Sequence, residues 1–199
     1  MKDLIANYKL HKNKIERKLQ DFKELPMNKY HEEFMFCLLT PQSNAVRCWE
    51  AVQKILELNN SSSDEIKNIL RTRTRFHNNK TRYLIEAKKL WPDIQKLLEN
   101  KDRKSLRNTL AEEVTGMGYK EAGHFLRNIG KSDNQIAILD RHILRNLKEI
   151  GVIKEDSIKN KKHYLELENK FLGFSKKIGI PIDHLDLLFW SKETGEVFK

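Results

Sequence analysis

The chain has 199 residues, with 38 Lys and Arg against 28 Asp and Glu, a net charge of +10 and two cysteines. That length supports one large or two small helical lobes with a real core, and the basic excess favours an anionic partner, although a lysine-rich composition bias explains it equally well. Two thiols exclude a disulfide framework and a four-thiolate cluster, and no apolar run approaches the ~20 residues that a membrane helix needs.

The first residues, MKDLIANYKLHK, carry no apolar signal-peptide core, so the expected setting is intracellular, in cytoplasm or nucleoid. Residues 4–22 fit an amphipathic helix, with Ile5, Tyr8, Ile15, Leu19 and Phe22 near one stripe. Pro26 ends that pattern. Residues 31–39 hold Phe34, Met35, Phe36, Leu38 and Leu39 and read as a buried core helix. Thr40-Pro41-Gln42-Ser43-Asn44 is a polar turn. The next helix, over 44–58, has Ala45, Trp49, Val52 and Leu56 at helical spacing. Cys37 and Cys48 lie in apolar helical patterns and read as core. Ser62 and Glu65 have the spacing of a capping box for a short helix ending near Leu70. Residues 71–82, RTRTRFHNNKTR, form a basic loop around one aromatic. A helix follows through Leu90, and Pro92 suits the first turn of another, to about Leu98. Asp102 is placed to cap the helix that leads to a glycine turn.

That turn organises the chain. One amphipathic helix ends over 111–114, Gly116 and Gly118 flank Met117, and residues 119–129 form a second helix closing on Gly130. The expected product is a set of amide N–H groups aimed outward at a helix N-terminus, an anion site suited to phosphate. Lys120 stands at its mouth. Asp140 follows just before a helix over 141–150 that ends at Gly151. Residues 159–178 form a long amphipathic helix closed by Gly179. Pro181 and Asp183 start a last helix, 184–190. No repeat and no strand-period run is visible, so the expected class is all-α.

Taken singly, these residues have plain readings. Lys120 is an exposed charge, poorly placed at a helix N-terminus. Asp140 is an N-cap. Phe76 is core, Trp190 closes the last helix, Lys199 is a terminus and the arginines are a solvated face. His124, His142 and His184 lack metal-ligand spacing, and no metal site is expected.

The pattern Gly116-Met117-Gly118-Tyr119-Lys120-Glu121-Ala122, followed by Ile138-Leu139-Asp140-Arg141-His142, resembles the hairpin and Lys/Asp pair of helix-hairpin-helix DNA glycosylases. The runs GYKEAGHFLRN and AILDRHIL resemble the archaeal-type 8-oxoguanine DNA glycosylases, a family of bifunctional glycosylase/lyases. The resemblance covers most of the chain and is tightest over residues 116–144 and 186–199. It implies two helical subdomains, about 1–30 with 145–199 and 31–144, with the active cleft between them. Some helix-hairpin-helix glycosylases carry a four-cysteine iron–sulfur loop, which this chain cannot build.

The resemblance also implies roles. Lys120 would attack C1′ of the damaged nucleoside, and positive potential with partial burial makes an amine there nucleophilic. Asp140 would stabilise the cationic sugar and assist proton transfer at Lys120. The hairpin residues Gly116, Met117, Gly118 and Tyr119 would grip phosphate. Main-chain carbonyls near Glu112, Val114 and Met117 would suit a monovalent cation, and no other cofactor is required. Phe76 and Trp190 would supply flat faces for an extruded purine, with Asp186 and Lys199 at its edge. The Lys199 carboxylate is the candidate acceptor for N7–H, which distinguishes 8-oxoguanine from guanine. TPQSNA departs from the family and looks like the turn of other helix-hairpin-helix glycosylases, where a glutamine wedges into the vacated base stack. Gln42 takes that role, and the departure leaves opposite-base preference open. Arg75, Lys80 and Arg82, with Arg71 and Arg73, are expected at phosphates. The expected partner is double-stranded DNA with a damaged base, bound by a monomer. Two rivals stay open: a glycosylase for another damaged base, and a non-catalytic DNA-binding module in which Lys120 is one more phosphate contact.

Overall fold

The structure is a computed structural model that describes residues 2–58 and 61–194. Among them are ten α-helices and no strand: α1 (Lys2–Lys23), α2 (Tyr30–Leu39), α3 (Ala45–Glu57), α4 (Ser63–Arg71), α5 (His77–Leu97), α6 (Arg103–Glu113), α7 (Tyr119–Asn128), α8 (Arg141–Glu149), α9 (Lys161–Ile178) and α10 (Ile182–Thr194). No helix is long and apolar enough to cross a membrane among the described residues.

The chain divides into two compact units, Pro26–Phe125 and Met1–Leu25 with Leu126–Lys199. The boundaries thus fall at residues 25 and 125, where the sequence puts them near 30 and 144. Residues 126–144 hold eleven buried side chains between Leu126 and Leu144 and belong with the C-terminal helices.

The middle unit is built on α2, whose residues 34–39 are all buried. Helices α3 and α5 pack against it, and α4 packs on both of those. Asn44 and the reciprocal Ser62–Glu65 box cap α3 and α4, as their spacing predicts. Two expectations fail in α5. It is one helix of 21 residues with Pro92 inside it, and it begins at His77 within the expected basic loop. Lys80, Leu84, Ala87 and Ile94 form one buried face that runs past the proline. Trp91, whose ring lies 4.9 Å from His31 and 5.4 Å from Phe34, anchors the turn where the proline removes a backbone bond. Tertiary packing thus outweighs a local helix breaker.

The other unit is built on α10, which packs against α1, α8 and α9. Phe171 and Phe189 stack at 6.2 Å, and Tyr8 Oη meets His184 Nδ1 at 2.9 Å. Residues 136–139 are buried but not helical. Their backbone is paired by side chains of α9: the Ala137 N–H donates to Glu168 Oε1 (2.9 Å), and Tyr164 Oη donates to the Ala137 carbonyl (2.7 Å). This pinned segment delivers Asp140 to the start of α8.

Candidate functional site

The glycine turn forms as expected. Gly116 has φ +86, and a Cβ there would lie 2.3 Å from the Tyr83 ring, so both dihedral and space demand glycine. Met117 and Val114 are buried beneath the turn, and the Met117 N–H donates to the Val114 carbonyl at 3.1 Å. Tyr119 packs its ring 4.7 Å from the buried Arg107 guanidinium.

The hairpin amides are less free than the sequence suggests. The Gly118 N–H donates to Glu121 Oε2 (3.2 Å), the backbone half of a capping box at the third position of α7. The other carboxylate oxygen, Oε1, lies 2.9 Å from Lys120 Nζ. Lys120 keeps 24% of its side-chain surface exposed. Glu121 therefore holds both the amide and the amine that an incoming phosphate or sugar would meet. Glycine followed three residues later by glutamate was the available signal for it.

Gln42 and Phe76 both sit on exposed turns of the middle unit, each in the left-handed region, at φ 53 and φ 57. Phe76 is 52% exposed and so is not core. The Arg75 guanidinium lies 5.5 Å from its ring, and Arg82 pairs loosely with Glu86 at 3.7 Å on the surface. Lys80 corrects its expected place among solvated phosphate contacts. It is 3% exposed and donates to the carbonyls of Leu39 and Pro41 and to Ser43 Oγ, at 2.7, 2.8 and 2.7 Å. Burial lowers its pKa from 10.5 to about 8, with the charges of Lys120 and Arg75 adding to that and Cys48 opposing it. Burial likewise pushes the Cys48 thiol up to about 11.

In the unit built on α10, Asp140 caps α8 with Oδ1, which accepts the Ile143 N–H at 2.8 Å. Its Oδ2 accepts the Trp190 indole N–H at 2.9 Å. The Trp190 ring lies 5.3 Å from His142. An acid and an aromatic expected separately are thus joined across 50 positions of sequence. Asp186, expected at a base edge, is instead 2% exposed and lies 2.9 Å from Arg127, which is equally buried. Lys199 lies outside the described residues. No group of three or more His, Cys, Asp or Glu could hold a metal among the described residues.

The chain is similar to known proteins over most of its length. The family profile described as 8-oxoguanine DNA glycosylase matches residues 15–180. A protein of Fusobacterium nucleatum named 8-oxoguanine DNA glycosylase/AP lyase is 39% identical, over 96% of this chain and 94% of that one. One of the same name from Sulfurisphaera tokodaii is 33% identical over the full length of both. The crystal structure of the Methanocaldococcus jannaschii 8-oxoguanine glycosylase/lyase, in complex with a 15mer DNA containing 8-oxoguanine, superposes with a TM-score of 0.89 at 29% identity, covering 100% of both chains. The 8-oxoguanine DNA glycosylase of Thermotoga maritima also gives 0.89, at 30% identity.

Proposed function

The chain belongs to the 8-oxoguanine DNA glycosylase family, and on that premise we propose that Lys120 and Asp140 carry its chemistry. The protein is a bifunctional DNA glycosylase/AP lyase that excises 8-oxoguanine from duplex DNA and then cleaves the strand. Lys120 Nζ attacks C1′, the C1′–N9 bond breaks, and the base leaves with a proton. The nitrogen lone pair then expels O4′, which takes up a proton, so the C1′–O4′ bond breaks and the sugar opens to a protonated Schiff base. Abstraction of a C2′ proton then expels the 3′ phosphate by β-elimination.

The observation that carries this assignment lies within each unit separately: a part-exposed amine stands at the glycine hairpin, and a carboxylate with both oxygens bonded caps α8. Lys120 stands where the α7 N-terminus adds positive potential. Asp140 has each oxygen held by a separate donor, which suits a group that must face a developing cationic sugar without reorganising. Phosphate at the Gly118 amide would displace Glu121 Oε2 from it, the same carboxylate that holds Lys120 through Oε1. Phe76, exposed at a left-handed turn, is proposed as one stacking face for the extruded base, and Gln42 as the wedge. Arg75, Arg82 and the hairpin are proposed at phosphates. Asp186 is proposed to act on the base pocket only through Arg127 and the packing of α10. No resident cofactor is proposed for the reaction, beyond a monovalent cation at the main-chain carbonyls near Glu112, Val114 and Met117.

Borohydride trapping tests the assignment. With an 8-oxoguanine duplex the wild type should give a covalent adduct, and Lys120→Gln should give none. An adduct that survives in Lys120→Gln would move the nucleophile elsewhere. No adduct from wild type with any lesion would support a DNA-binding module.

A further inference from the structure

Four non-glycine residues have positive φ among the described residues: Gln42, Phe76, Asp133 and Asn134. Asp and Asn adopt that region readily, because short polar side chains bond locally. Gln and Phe do not, and such strain persists only where the surroundings enforce it. Gln42 and Phe76 also share one polar knot. The Ser43 hydroxyl accepts from Lys80 Nζ (2.7 Å) and from the Arg75 backbone N–H (2.9 Å). Lys80 Nζ spends its other two protons on Leu39 and Pro41, the residues leading into Gln42. The Ser43 N–H closes the turn on the Thr40 carbonyl at 3.0 Å, and the Lys80 N–H accepts no freedom either, donating to the Phe76 carbonyl at 3.0 Å. One hydroxyl and one ammonium therefore bridge two strained turns that lie more than thirty positions apart.

A buried ammonium is a costly way to fill space, and an apolar side chain of similar length would pack there without that cost. Its three donors are all directed at one turn, which matches a positional constraint better than a stabilising one. We propose that Lys80 and Ser43 are positioning residues that hold the Gln42 and Phe76 turns as one rigid pair, so that wedge and stacking face act together when the base leaves the helix. Neither touches the reacting atoms. The proposal rests on the reading that this chain excises a base from duplex DNA, and it concerns the extrusion that precedes chemistry.

Ser43→Ala and Lys80→Met test it by comparing two substrates. Misplacing a positioning group costs about 10–100-fold, so excision of paired 8-oxoguanine should fall by that factor while cleavage of a preformed abasic site stays within about twofold. The deficit should shrink when the lesion faces a one-nucleotide gap, where extrusion costs less, and Ser43→Thr, which keeps the hydroxyl, should restore activity. Equal losses on both substrates, or no loss on paired 8-oxoguanine, would overturn the proposal. If Lys80→Met does not fold, Ser43→Ala carries the test alone. Hydrogen exchange of the DNA-free protein reads the coupling without any catalysis. Amides of residues 40–44 and 73–77 should both exchange faster in Ser43→Ala, and loosening of one turn alone, or of neither, overturns the coupling. A wild type that excises no lesion would defeat the glycosylase reading, and the exchange result would still decide whether the knot couples the turns.

Discussion

The two units present polar groups in opposite ways. In Pro26–Phe125 the side chains proposed to carry chemistry reach solvent: Lys120 in part, on the first turn of α7, and Gln42 and Phe76 at exposed, strained corners. The Gln42 and Phe76 turns are tied from beneath by the buried Lys80 and by Ser43, while Lys120 is paired with Glu121. In the unit built on α10, the acid itself is the held group. Asp140 is bonded at both oxygens, and Asp186 is paired with Arg127 out of solvent. One unit keeps reactive groups accessible and fixes the chain that bears them. The other fixes the reactive group. The proposed nucleophile and wedge need access to DNA, whereas a carboxylate proposed to stabilise charge works best where nothing rearranges.

The largest expected effect that tests this contrast is at Asp140. Asparagine is also a good N-cap, so Asp140→Asn should keep α8 and bind DNA while base excision slows by about 10²–10⁴-fold. Single-turnover excision, binding and unfolding would be measured together. An Asn variant that unfolds would reduce the residue to a cap and erase the contrast. Next is Asp186. Breaking a buried ion pair by removing one partner costs about 3–5 kcal/mol, so Asp186→Ala should lower the urea midpoint of unfolding markedly. Retained stability with lost discrimination between 8-oxoguanine and guanine would instead return Asp186 to the base edge.

Much of this was legible in the sequence, because local rules write it there. The glycine hairpin, the Asn44 and Asp140 caps and the Ser62–Glu65 box each depend on residues within four positions of one another. What could not be read was non-local. Lys80 looked like one charge in a basic run, and the partners that hold it, Leu39, Pro41 and Ser43, lie 37 to 41 positions away. Asp186 and Arg127 meet across 59 positions, and nothing local to either announces the other. Pro92 was read by its usual effect on a helix, which packing around Trp91 overrides.

Trp190 offers the finest cut between the two modes of holding a group. Its ring is proposed to face the base, but its indole N–H is given to Asp140. Trp190→Phe keeps an aromatic face and deletes only the donor. If Asp140 acts because it is immobile, losing a hydrogen bond to a charged group, worth about 1.5–3 kcal/mol, should slow excision by at least about tenfold. Substrate affinity should change far less, since the flat surface remains. The slowing should also be absent in an Asp140→Asn background, because the donor then has no carboxylate to hold. A phenylalanine variant with wild-type excision would mean that the Ile143 amide alone fixes the acid. Equal slowing in both backgrounds would mean that the indole acts on the base directly, and the acid would then be no more firmly held than the amine.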